Sequence, residues 1–239
     1  MASSFHTEFQ RYEPDYNADI GLKLIKKAQL SELFQECKNA SAARYNDLLS
    51  ANFPPRSPTP VYARFIQAVR ELSPAYTLTT NVDELIEKSL PKYAAINRMD
   101  IERCTHLLDR KESFVCKLHG SMDNIGSVVF TSDDYVNLIK DSSYLSFLER
   151  LTTCSTVIFV GYGLQDDYLV SILHRNHKLA ALFGDGLHFA LLPNEAKDLP
   201  ASVKVIRYKP EPHKDHRSSI TVIEELKNRR SKNQEFKAT

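Results

Sequence analysis

The feature that most constrains this chain begins after Pro74, where short apolar runs alternate with stretches long enough to be helices. AYTLTT (75–80), FVCKL (114–118), SVVF (127–130), TVIFV (156–160), HFALL (188–192) and VKVIRY (203–208) each have the length and bounding polar residues of a β-strand. The runs at 157–160 and 188–192 are almost continuously apolar, as strands covered on both faces are. Alternating strands and helices predict an α/β fold: an open, mostly parallel sheet with flanking helices. The stretch from Asp166 to Phe183 sets Leu169, Ile172, Leu173 and Ala180 at helical spacing, with GDG at 184–186 as its stop.

The first 73 residues lack such runs and predict an N-terminal helical layer. Ile20, Leu24, Ile25, Ala28 and Leu33 fall at helical intervals and predict one amphipathic helix. NFPPRSPTP breaks the pattern, and Thr59 followed by Pro60 supplies a cap and first turn for a helix through Phe65, Val69 and Leu72. The expected organisation is a loosely ordered lead-in (1–19), a single α/β domain (20–226; helical layer 20–73, sheet core 74–208) and a charged C-terminal tail (227–239).

Charge and composition narrow the function. A net charge of +1 and the absence of Trp give no general attraction to polyanions, so nucleic acid is not an expected partner. From Tyr208 onward eight Lys/Arg face five Asp/Glu, an excess that reads as a solvated tail. No apolar run approaches the roughly 18 residues of a membrane span, and MASSFHTEFQRYEPDYN does not resemble a secretory signal. A cytoplasmic location without membrane contact is the expectation. Cys37, Cys104, Cys116 and Cys154 are scattered without the paired spacing of a zinc site and read as reduced core thiols.

In an open α/β sheet, ligands bind beyond the carboxyl ends of the strands. Three clusters sit there. TTNVDELIE carries Thr79, Asn81 and Asp83 from a strand into a helix, and helix capping explains these residues as well as ligand binding does. KLHGSM ends a strand on His119 and Gly120, where an imidazole is available near neutral pH as a general base or serves as a hydrogen-bonded structural residue. FVGYGLQDD offers Gly161, Tyr162, Gly163 and Asp166, either as a nucleotide-cradling turn or simply as a tight connection. His174 and His177 are one helical turn apart but have no third ligand, and no metal is expected.

The ordered set TTNVD, KLHG, SDDY and VGYGLQDD resembles the sirtuin-like NAD-hydrolase domains that lack the zinc module, over roughly Thr59 to Leu226. The resemblance implies a Rossmann-like sheet and NAD+ as substrate or ligand, without zinc. Relatives of this kind occur in antiviral defence and cell-death proteins. Asn81 and Asp83 fall on the signature that positions ribose and nicotinamide, and His119 on the catalytic histidine. The implied NAD contacts are Thr79, Asn81, Asp83, Gly120, Gly161, Tyr162, Gly163 and Asp166, with His119 and Asn81 catalytic. The implied activity is that of an NAD+ glycohydrolase (NADase) releasing nicotinamide. The alternative is a non-catalytic nucleotide sensor or assembly module, and a protein deacylase ranks last because the cysteines lack zinc spacing.

These families also carry a glycine-rich strand and loop ahead of this region, whereas Gly21 is the only glycine before Gly120. The expectation is either an N-terminally shortened product or a sequence that lacks its upstream piece, and in both cases a chain impaired in hydrolysis. Its unpaired strand edge is expected to favour homo-oligomers.

Overall fold

The computed structural model describes residues 1–54, 57–162, 170–174, 188–193, 199, 201–209 and 217–237, with side chains to Arg229. The chain divides into two compact units, 1–57 with 76–107 and 113–144, and 58–75 with 108–112 and 145–239. The fold is α/β with parallel strands and flanking helices, as the alternating pattern predicts.

The first unit opens with four helices: α1 (Ala2–Tyr12), α2 (Ala18–Lys26), α3 (Leu30–Ala40) and α4 (Ala42–Asn52). Phe5 and Phe9 of α1 are fully buried among Leu33, Phe34, Cys37, Tyr45 and Leu49. The N-terminal stretch is thus a packed helix and not a loose lead-in. Burying each such aromatic side chain contributes roughly 1.5–3 kcal/mol, enough to order a polar-looking segment. Phe5 meets Phe34 edge-on at 5.1 Å. The expected helix from Ile20 to Leu33 is two helices, because Ala28 adopts a left-handed backbone (φ 56°) and the Gln29 amide bonds the Leu24 carbonyl at 2.9 Å. Gly21 permits a close approach: a β-carbon there would overlap the Tyr16 hydroxyl and lie 2.8 Å from His6 Nδ1. These two side chains are joined by a 2.9 Å hydrogen bond.

The same unit holds β1 (Tyr76–Thr79), α6 (Leu85–Ser89), β2 (Ala94–Asn97), β3 (Phe114–Lys117) and α8 (Ser132–Leu138). Helix α5 (Pro60–Leu72) precedes β1, and α7 (Ile101–Arg110) lies between β2 and β3. The three strands form a parallel sheet in the order β1-β3-β2, and central Phe114, Val115 and Cys116 are wholly buried. SVVF is not a strand. Its backbone closes a loop instead, with the Val129 amide on the His119 carbonyl at 3.1 Å, and Ala94–Asn97 supplies the third strand.

The second unit carries a parallel sheet of β4 (Ile158–Val160), β5 (His188–Pro193) and β6 (Val203–Tyr208), in that order. Side chains alternate across central β5. Leu191 packs with Ala68 of α5, Tyr208, Ile220 and Ile223, while Ala190 and Leu192 pack with Leu173 and Val203. Thr59 caps α5 by accepting the Tyr62 amide at 3.3 Å, as Thr-Pro predicts. Helix α9 (Ser142–Cys154) leads to β4, and the final helix, Arg217–Lys237, runs on through much of the stretch expected as a tail. Arg64 bonds both carboxylate oxygens of Glu224. Residues 170–174 are helical, and the rest of the helix expected over 166–183 lies outside the described residues. Cys37, Cys104 and Cys116 are buried; Cys154 is exposed, so only three of the four are core thiols. Among the described residues no helix is long and apolar enough to cross a membrane.

Candidate functional site

β1 and β3 run parallel with Thr79 opposite Lys117, so the segments that follow them leave the same end of the sheet. Backbone hydrogen bonds continue past the strands: the Leu118 amide donates to the Thr79 carbonyl at 2.9 Å and the Met122 amide to the Val82 carbonyl at 3.1 Å. TTNVD and HGSM are therefore stitched together, bringing Thr79, Asn81, Asp83, His119 and Gly120 into one region of the first unit.

Local chemistry fixes each segment. Thr79 Oγ1 accepts the Asn81 amide at 3.0 Å, turning the chain and leaving the Asn81 residue exposed, while Val82 is buried beneath. Asp83 Oδ1 accepts the Leu85 amide at 3.0 Å. The capping reading of this cluster thus has a physical basis, through Thr79 and Asp83. His119 is 8% exposed, immediately after β3, and its ring stands at 90° to that of Tyr135, 5.5 Å between centroids. Gly120 has φ +76°, and a β-carbon there would overlap the Ser127 carbonyl group and approach its hydroxyl to 2.5 Å. Only glycine fits a left-handed, close-packed position of this kind.

Ser127 organises the loop beyond Gly120. Its Oγ accepts the Ser121 amide at 3.1 Å and Asn97 Nδ2 at 2.9 Å, and donates to the Asn124 carbonyl at 2.6 Å. Asn97, the last residue of β2, also donates to Ser121 Oγ at 2.9 Å. All three strands of this sheet thereby contribute to the shape of the His119 turn. Asp134 of SDDY closes a capping box with Thr131. Burial alone would raise its carboxyl, but hydrogen bonds from Thr131, Lys38 and the Phe130 amide hold it below the usual carboxylate value.

Lys117 escaped the reading of the sequence. It is 3% exposed, its ammonium pairs with Glu87 Oε1 at 2.9 Å and Oε2 at 3.1 Å, and it donates to the backbone carbonyl of Asp83. The signal was present in FVCKL: a lysine in a run covered on both faces requires a buried acceptor. Asn97 and Ser127 carried no comparable signal, because their roles depend on tertiary contacts alone.

The third cluster belongs to the second unit. Gly161 follows β4 with φ +64° and is exposed, and among the described residues, its chain neighbours aside, no heavy atom lies within 4 Å of a β-carbon built on it. Tyr162 stacks on Phe159 at 6.2 Å. Gly163 and Asp166 lie outside the described residues.

The first sheet is that of an α/β protein with Asn, Asp and His on loops beyond the carboxyl ends of its strands, the place where open α/β sheets as a class bind ligands. The chain belongs to the SIR2-like domain family, which matches residues 76–210. It is 32% identical over 169 residues to NAD(+) hydrolase ThsA of Enterococcus faecium, covering 66% of this chain and 34% of that protein. To NAD(+) hydrolase ThsA of Bacillus cereus it is 31% identical over 100 residues, 41% of this chain and 21% of the relative. Defense-associated sirtuin 2 of Bacillus subtilis is 24% identical over 159 residues, 63% of this chain and 15% of the relative. The chain thus spans about a third or less of the length of these relatives.

Proposed function

We propose that the loops after β1 and β3 form the catalytic end of an NAD+ glycohydrolase that works in defence, as the names of the relatives suggest. The observation that carries the reading is the backbone stitching of the Asn81–Asp83 segment to the His119–Gly120 turn at one sheet end.

The chemistry asks for little more than these residues. The nicotinamide of NAD+ leaves as a neutral molecule, so its departure needs no acid. Cleavage of its bond to the ribose leaves positive charge on the sugar, which the Asp83 carboxylate stabilises while holding the ribose. Water adds to that carbon, with Asn81 orienting it and His119 accepting its proton, which gives ADP-ribose. Proton transfer of this kind contributes about 10²–10⁴-fold. Thr79 and Gly120 shape the backbone against which the ligand rests.

The test is incubation of the chain with NAD+ and chromatographic measurement of nicotinamide, with binding followed by calorimetry. The expected result is release by wild type and a fall of about 10²-fold or more in His119→Ala with NAD+ still bound. Binding without release by wild type assigns the chain to nucleotide sensing, and undiminished release by His119→Ala removes the proposed base.

A further inference from the structure

We propose that Lys117 is a positioning residue that sets Asp83 against the His119 turn, an inference that rests on the hydrolase reading above. A buried ammonium is costly. Its desolvation takes several kcal/mol and is recovered only through good pairing, so an apolar side chain would serve packing alone equally well. Lys117 instead directs its donors at two separate places: the carboxylate of Glu87 on α6 and the backbone carbonyl of Asp83. One cation thereby fastens both the helix that follows the TTNVD turn and the turn itself to the end of β3.

The consequence falls on the acid. Asp83 Oδ1 is committed to the Leu85 amide, so the direction of the carboxylate follows the backbone that Lys117 holds. His119 lies two residues further along the same segment. A single side chain therefore sets the offset between the group assigned to the ribose and the group assigned to the water. Glu87 has a second part in this arrangement: it neutralises a positive charge that would otherwise repel a cationic nicotinamide ring.

Removing Lys117 alone strands the Glu87 carboxylate, and the protein can then fail to fold for that reason. The informative variant is therefore Lys117→Met combined with Glu87→Leu, which removes both charges together. It is compared with wild type and Lys117→Met by thermal melting, NAD+ calorimetry, steady-state nicotinamide release and amide hydrogen exchange. In a paired variant that melts like wild type, kcat falls roughly ten- to hundredfold. Its dissociation constant for NAD+ stays within about threefold, the split expected when geometry and not ground-state binding is lost. Exchange at the Leu85 and Met122 amides rises at least about tenfold as the turn opens. A folded paired variant with wild-type kcat overturns the proposal, as does loss of binding in proportion to rate, which marks a purely structural residue. Should wild type release no nicotinamide, the hydrolase reading fails while exchange still judges the clamp: a rise at Leu85 and Met122 supports it, and unchanged exchange overturns it.

Discussion

Gly120 and Gly161 each follow a parallel strand in a left-handed backbone, but their surroundings differ. Gly120 is buried against Ser127, in a loop crossed by the bonds of Asn97, Ser121 and Ser127. Gly161 is exposed, with nothing among the described residues packed against the position of a β-carbon. In the sequence the two looked alike, as glycines just after strands. At Gly161 the backbone torsion alone asks for glycine; at Gly120 both torsion and packing do, and a locked turn of that kind can hold a catalytic group in place.

The largest expected effect follows from this difference. Gly120→Ala combines a left-handed penalty with overpacking against backbone and should destabilise by about 3 kcal/mol or more, if it folds at all. Urea denaturation measures it, and a loss no larger than that of Gly161→Ala would show that packing against Ser127 adds nothing at Gly120. Asn97→Ala should cost about 1–3 kcal/mol, because the buried Ser127 hydroxyl loses a donor, and a midpoint equal to wild type would show that the web does not hold the turn. Gly161→Ala should cost only about 1 kcal/mol by the same measurement.

The smallest effect concerns His188 in the second unit, whose Nδ1 accepts the Val157 amide at 3.2 Å. Burial pulls this imidazole below its ordinary value of 6.5. As pH falls below about 6.5 the unfolded chain takes up a proton that the folded chain refuses, so stability declines until the lowered folded value is passed. Denaturation midpoints across that range should fall in wild type and fall less in His188→Asn. Parallel slopes would remove His188 as the cause.

Five of the six expected strands exist, because runs such as FVCKL and HFALL carry their burial in composition. The third strand of the first sheet was missed because Ala94–Asn97 is alanine-rich and weak in strand propensity. SVVF has strand composition, but its backbone bonds go to the His119 loop. The break at Ala28 carries no Gly or Pro to announce it. At the candidate site, Asn81, Asp83 and His119 were legible as polar residues at strand ends. The lysine in FVCKL announced a buried acceptor but not which one, and the supports from Asn97 and Ser127 were not legible, since each bonds to a partner at least 24 residues away.

If the β1 and β3 loops act as one catalytic unit on NAD+, this shows in nicotinamide release by wild type, Asn81→Ala, His119→Ala and the double variant, at saturating NAD+. Each single substitution should cripple release, and the double variant should be about as slow as the slower single, because groups acting on one water fail together. Losses that multiply would show two independent groups, and full activity in either single variant would remove that residue from the reaction.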